Sequence, residues 1–223
     1  MKLYYPLLDK PIEFKENCVP LMVVENAEVL GQMIQELQNQ ILGRDGGFIF
    51  SENDQQIEID GKIELLIDYY NLNVNSRTNL NKLYTKLNDE AISEMNYQEM
   101  LIFKGNVSEY LNGLIEKFDY DVRYEQDFSM INLFKAVGVE FEKDSDNLVG
   151  KLIDYIKIIN QIVMPKCFVL LNLHTCMSRN NIKELYKYSS YQKINLLLVE
   201  NRFDVEPFDE ETICRIDNDL CII

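Results

Sequence analysis

The apolar residues of this chain fall into two kinds of pattern. Three short runs are almost unbroken: LMVVE at 21–25, CFVLLNL at 167–173 and INLLLVE at 194–200. Runs of that kind mark strands buried on both faces, the habit of parallel sheets. Elsewhere the apolar positions recur every three or four residues. Val29, Leu30, Met33, Ile34, Leu37 and Ile41 predict a helix that Asn26 caps and Gly43 closes. Leu152, Ile153, Ile156, Ile159 and Val163 predict another, stopped by Pro165. Ile182, Leu185 and Tyr186, beside Tyr188, predict a third. Strand, helix and strand in succession imply a parallel sheet with right-handed crossovers. Residues 1–16, punctuated by Pro6 and Pro11, predict an edge hairpin. Residues 48–50 and 57–59 predict a second hairpin, 63–68 a buried strand, and 212–217 a last strand with 221–223 tucked beside it.

From Asn79 the pattern turns helical. Leu80, Leu83, Leu87 and Ile92 form one stripe, continued by Met100, Leu101, Leu111, Leu114, Ile115 and Phe118 across a break near Gly105. Residues 76–165 therefore predict a helical insertion. The flanking 1–75 and 166–223 make one α/β head. On the outer side of the first inserted helix Lys82 and Lys86 stand one turn apart, with Arg77 just before it.

The insertion also carries an acidic stretch. Asp119, Asp121, Glu125 and Asp127 precede a short helical pattern of Met130, Ile131, Phe134 and Val137, closed by Gly138. Glu140, Glu142, Asp144 and Asp146 follow it. Only Arg123, Lys135 and Lys143 oppose them. Carboxylates brought together repel unless a positive group sits among them. Calcium tolerates irregular oxygen-rich sites and would bridge the two ends of the short helix, between Asp119–Asp127 and Glu140–Glu142. A solvated acidic surface explains the same charges without metal.

Composition narrows the function. The 223 residues carry 37 acids and 22 bases, a net charge of -15. A protein that coats nucleic acid is usually basic, so any nucleic-acid site here must be a local basic strip. Five cysteines, odd in number and without a C-x-x-C, read as reduced thiols of a cytosolic protein. The lone His174 cannot build a zinc cluster, and reads as a loop or core histidine. The opening MKLYYPLLDKPIEF lacks the pattern of a signal peptide, and no apolar run is long enough to span a membrane.

The first strand leads into VENAEV, where a phosphate loop would need G-x-x-x-x-G-K-[ST]. Nucleotide binding by that route is not expected. CFVLLNL is shaped like a magnesium-bearing strand, but Asn172 stands where the acid would be. No nucleophile elbow, triad spacing or histidine pair appears. Tyr4, Tyr5, Tyr186, Tyr188 and Tyr191 offer rings either for base stacking or for ordinary packing.

Four stretches carry a family resemblance: LLDKPIEF near the start, NLNVNSRTNLNKLYTKLND, LFKAVGVEFEKDSDNL, and CFVLLNL followed by INLLLVENR. In this order they resemble the Csn-two family of CRISPR-associated proteins from type II-A systems. The resemblance implies an α/β fold with a P-loop-ATPase-like head, a mainly parallel sheet and an inserted helical lid domain, without ATPase activity. It implies a homotetrameric ring that binds double-stranded DNA ends through a positive central hole, beside the CRISPR integrase and the RNA-guided nuclease. It implies calcium held by acids near the hinge of the helical domain. Asp119 and Asp121 match the acids before the LFKA helix, with Glu125 and Asp127 competing for that role, and Glu140 and Glu142 match those after it. Arg77, Lys82, Lys86 and Lys135 are the candidate DNA contacts.

The leading expectation is a non-enzymatic DNA-binding protein of CRISPR spacer acquisition. The alternative is a metal-dependent nuclease or P-loop-like hydrolase that uses the acidic cluster with magnesium. A third reading is a protein–protein module whose acids are only surface.

Overall fold

The computed structural model describes residues 1–142 and 145–223; Lys143 and Asp144, two members of the charged stretch, lie outside the described residues. Two compact units emerge: Met1–Leu72 with Asp144–Ile223, and Asn73–Lys143.

The α/β unit holds every strand among the described residues. These are β1 (Lys2–Tyr4), β2 (Ile12–Glu13), β3 (Val19–Val24), β4 (Ile49–Glu52), β5 (Gln55–Ile57), β6 (Ile63–Leu66), β7 (Cys167–Leu171), β8 (Leu196–Glu200) and β9 (Glu211–Ile216). The main sheet has the order β6-β7-β8-β3-β9, and all its pairs are parallel. At its centre Leu21 of β3 lies opposite Leu198 on one side and Ile213 on the other. Every residue of β3 and β8 is buried, as unbroken apolar runs require of a sheet covered on both faces.

A smaller antiparallel sheet has the order β2-β1-β4-β5. Its β4–β5 turn places Asn53 and Asp54 at φ of 52° and 61°. Two consecutive left-handed residues suit the twist of a tight hairpin, and Asn and Asp tolerate them best. The expected hairpin of residues 1–16 forms as β1 with β2, and β1 also pairs with β4.

The α/β unit's helices are α1 (Ala27–Ile41), and, after the second unit, α5 (Leu148–Ile162), α6 (Leu173–Cys176) and α7 (Arg179–Tyr191). Helix α1 buries Leu30, Met33 and Leu37 on one face. Gly43 follows its end at φ 71°, where a side chain would be strained. Helix α5 buries Val149, Leu152, Ile156, Ile159 and Ile162 and packs on α7. Each such side chain is worth about 1.5–3 kcal/mol of burial. That stripe assigns α5 to the α/β unit, so the division falls near 143 and not at the expected 165.

The second unit contains α2 (Arg77–Ala91), α3 (Tyr97–Ile115) and α4 (Met130–Ala136). The Ser76 hydroxyl accepts from Asn79 N and caps α2. Tyr84 is buried and donates its hydroxyl hydrogen bond to Val139 O at 3.0 Å. Asn75 bonds both backbone groups of Phe141, each at 2.9 Å. These bonds tie the segment after α4 to the start and middle of α2. The expected break at Gly105 does not occur, because α3 runs through it. A lone helical glycine costs only about 1 kcal/mol. The break falls at 92–96, where the Asn96 side chain donates to Glu90 O at 3.0 Å and competes with helical bonding.

Candidate nucleic-acid interface and strand-end crevice

In open parallel sheets a ligand usually binds at the carboxyl ends of the strands, where the strand order reverses. Here that point is the end of β3, between β8 and β9. The chain's own side chains use up the groups that would hold a phosphate. Asn26 Oδ1 accepts from Glu28 N and Val29 N, both at 3.1 Å. Those are the free donors that make a helix N-terminus an anion site. Glu28 adds a negative charge to the same turn, against any phosphate. Asn201 Nδ2 donates to Val24 O at 3.0 Å and to Glu25 O at 3.3 Å. Glu25 itself pairs with Arg215 at 2.9 Å.

Asn172, at the position of the missing acid, has φ 53° and receives Asn201 N on its Oδ1 at 2.9 Å. The left-handed turn, tolerated by Asn, swings the chain from β7 into α6 and commits the side chain to protein. The crevice is stapled shut by asparagines.

Beside it lies a buried polar cluster that the sequence pattern did not reveal. His174 N donates to Glu200 Oε1, and His174 Nε2 lies against Glu211 Oε1, each at 2.9 Å. Tyr186 donates to the same Glu211 oxygen at 2.6 Å, and Phe208 N to the other at 2.9 Å. Glu200 is fully buried, and its Oε2 has no partner among the described residues. Burial pushes the Glu200 carboxyl up to about 7, against the lowering effect of His174. Burial pushes Glu211 the same way, but the bonds from His174, Tyr186 and Phe208 outweigh it and hold that carboxyl below its ordinary value. His174 is thus a core histidine, one of the two expected roles. The only sequence signal for the cluster was an acid closing an apolar strand at Glu200.

The four cation candidates of the helical unit divide between two sides of α2. Arg77 is the first residue of α2 and does not precede it. At about 100° per residue, Lys82 and Lys86 lie on roughly the side opposite Tyr84, while Arg77 shares the Tyr84 side. Lys135 Nζ sits 5.9 Å from the Tyr84 ring centre, which puts it on that second side. Lys82 and Lys86 remain as a pair one turn apart.

All six acid candidates are exposed. Asp119, Asp121, Glu125 and Asp127 lie in irregular chain between α3 and α4, and Glu140 and Glu142 in the segment after α4. Asp127 is taken up in an ion pair with Lys104. Among the described residues no group of three or more His, Cys, Asp or Glu is close enough to hold a metal ion. The acids as placed in one chain therefore do not form a calcium ligand set.

With this geometry in hand, similarity to known proteins decides the family. Residues 27–220 match the family model for CRISPR-associated protein Csn2. The chain belongs to the Csn2 family. A CRISPR-associated protein Csn2 of Enterococcus faecalis is 20% identical over 91% of this chain and 90% of its own length. One from Streptococcus agalactiae is 18% identical over the same shares. Membership gives the chain a CRISPR-associated role, and neither description names an enzymatic activity. Among solved structures, an ABC transporter ATP-binding chain of Pyrococcus furiosus aligns over 96% of this chain and 97% of its own. Its TM-score is 0.39 and its identity 13%; at that score the likeness carries no argument. No helix among the described residues is long and apolar enough to cross a membrane.

Proposed function

We propose that this chain is a non-enzymatic, double-stranded DNA-binding protein of CRISPR spacer acquisition that works as a homotetrameric ring on DNA ends. Membership in the Csn2 family over residues 27–220 carries the reading. The P-loop-ATPase-like head is part of it, and so are the CRISPR integrase and the RNA-guided nuclease as partners.

Two features support the reading. The helix α3 buries none of its 19 residues, yet it carries Leu101, Ile102, Phe103, Tyr110 and Leu114 exposed. A run of uncovered apolar side chains on one helix favours assembly with further copies. At the N-terminus of α1 the Asn26 side chain already takes the Glu28 and Val29 N–H groups, and Glu28 adds a negative charge, which speaks against a nucleotide phosphate at that helix end. Lys82 and Lys86 are the leading cations. Arg77 and Lys135 lie toward the other side of α2, the side of Tyr84.

Calcium belongs to the same reading as a ligand of the assembled ring, since among the described residues one chain gathers no group of three ligating acids. The nuclease or hydrolase alternative needs carboxylates around a metal, and the described residues form no such group.

Fluorescence anisotropy with a labelled linear duplex, run beside a magnesium cleavage assay, tests the proposal. Binding without cleavage is expected. Its affinity should fall steeply with salt, by about 0.9 in log–log slope per phosphate contact. Magnesium-dependent cleavage lost on replacing Asp119 or Asp127 would overturn it.

A further inference from the structure

The α/β unit has a cationic groove of its own. It runs between α7 and the segments leading into β3, β8 and β9, encloses about 720 Å³, and is lined by Lys15, Lys183, Lys187 and Lys193. Only Glu16 and Glu210 oppose them in that lining, whereas the chain as a whole has 37 acids to 22 bases. Lys15 and Lys193 already have carboxylate neighbours, Glu13 at 3.0 Å and Glu16 at 3.7 Å. Lys183 and Lys187 pair with no carboxylate among the described residues.

Lys183, Lys187 and Tyr191 recur every four residues, so they stand along one ridge of α7. Like charges four apart weaken a helix, and no carboxylate among the described residues pairs with either lysine to offset the repulsion. Tyr191 closes the ridge and is 84% exposed, while Tyr5 and Tyr186 are buried in packing. Lys187 and Lys193 lie near the C-terminus of α7, where a cation also answers the helix dipole. That role does not account for Lys183, a residue of the first half of the helix, or for the exposed ring. Cations beside an aromatic platform are the means by which proteins hold unpaired nucleic acid: lysines follow the phosphates and a ring stacks on a base. The groove has the volume of a small-ligand pocket, enough for roughly one or two nucleotides and far too little for a duplex.

We propose that the α7 groove binds a phosphodiester strand, with Lys183 and Lys187 on consecutive phosphates and Tyr191 stacked on an unpaired base. The proposal rests on the DNA-binding reading and adds to it a second site, specific for the unpaired nucleotides of a strand end. The strand can come from a frayed or overhanging duplex end or from free single-stranded nucleic acid.

Three fluorescent probes distinguish the sources: a blunt duplex, the same duplex with a two-nucleotide overhang, and a short oligothymidine. Anisotropy is measured across a salt series for the full chain, for Lys183→Ala/Lys187→Ala, for Tyr191→Ala, and for Lys82→Ala/Lys86→Ala. The α7 lysine variant should lower the log–log salt slope on the overhang by roughly 1.4, from two single-strand contacts. Tyr191→Ala should weaken the overhang complex by roughly 5- to 150-fold and leave the blunt duplex unchanged. Oligothymidine binding lost in the same variants would place free single strands among the ligands; no oligothymidine binding by the full chain would restrict the site to duplex ends.

If overhang binding survives in both α7 variants but falls in the Lys82→Ala/Lys86→Ala variant, the groove proposal is overturned and the DNA reading stands. If the lysines matter and Tyr191 does not, the stacking contact is overturned. If the full chain binds none of the probes, both fall. Lys86, Lys183, Lys187 and Tyr191 are exposed and Lys82 is half-buried, so circular dichroism of the variants should match that of the parent chain.

Discussion

His174 Nε2 lies 2.9 Å from Glu211 Oε1, and Tyr186 donates to that same oxygen at 2.6 Å. One buried carboxylate thus serves α6, α7 and the start of β9 together. Removing it strands several groups at once. Glu211→Ala leaves His174, Tyr186 and Phe208 N without their acceptor and should cost about 3 kcal/mol of unfolding free energy. Tyr186→Phe removes a single donor and should cost about 1 kcal/mol. Urea midpoints for the two variants measure the contrast, and equal losses would show that the network is not centred on Glu211.

Glu200 and Glu211 should give stability opposite pH dependences. The folded Glu211 carboxyl lies below its ordinary value. Its contribution is therefore present above about pH 4.5 and lost as the pH falls through the lower folded value. Glu200 is raised from 4.5 to about 7. Its folded form holds the proton more tightly, so the associated stability is fully present below 4.5 and is lost as the pH rises through about 7. Between pH 5.5 and 8 that loss is on the order of 2 kcal/mol. Glu200→Gln has no proton to lose, so its stability curve should be flatter over the same window. Parallel curves for variant and parent would remove Glu200 as the source.

The central sheet was legible because its signal is local. Unbroken runs at β3, β7 and β8 need no partner to be recognised, and Asn26 and Gly43 mark the ends of α1 by their own chemistry. What long-range packing decides was not legible. The apolar stripe of α5 announces a helix but not which unit it faces, so the pattern alone counts it with the insertion. Gly105 suggests a break because its glycine is visible, while the real one rests on a local bond from the Asn96 side chain to Glu90 O, which no apolar spacing reports. The cluster around Glu211 joins residues 25 and 37 positions apart, a distance that no periodicity reports. At the candidate sites, the pair Lys82 and Lys86 could be read from a spacing of four. The acids could be counted, but not seen to be dispersed or, for Asp127, already paired with Lys104.

The split of cations around α2 makes a graded prediction for duplex binding. Lys82→Ala/Lys86→Ala removes two neighbours on one side and should reduce the salt slope by about 1.8. It should weaken all duplexes alike, because lysine contacts to phosphate carry no sequence information. Arg77→Ala/Lys135→Ala, on the other side of the helix, should act independently, so that losses in the fourfold variant add. Anisotropy on two unrelated duplex sequences checks both points. A sequence-dependent footprint, or full affinity in the fourfold variant, would contradict the assignment.

The last prediction links assembly to calcium through α3. Ile102 is 62% exposed on a helix that buries nothing of its own, so Ile102→Asp should alter the fold's stability by no more than about 0.5 kcal/mol. If copies of the chain cover α3, the same change places an unpaired charge in a desolvated contact and should shift the solution mass to smaller species. Calcium needs six to eight oxygens, and one chain does not gather three ligating acids among its described residues. Calcium binding should therefore appear only in the assembled species. Chelation should lower both the mass and the melting temperature of the parent chain, and leave Ile102→Asp unaffected. Mass by light scattering and calcium binding by calorimetry, measured on both proteins, separate the possibilities. Tight calcium binding by the dissociated variant would show that a single chain completes the site by rearranging its acids. No binding by the assembled parent would return Asp119, Asp121, Glu125, Asp127, Glu140 and Glu142 to a solvated surface.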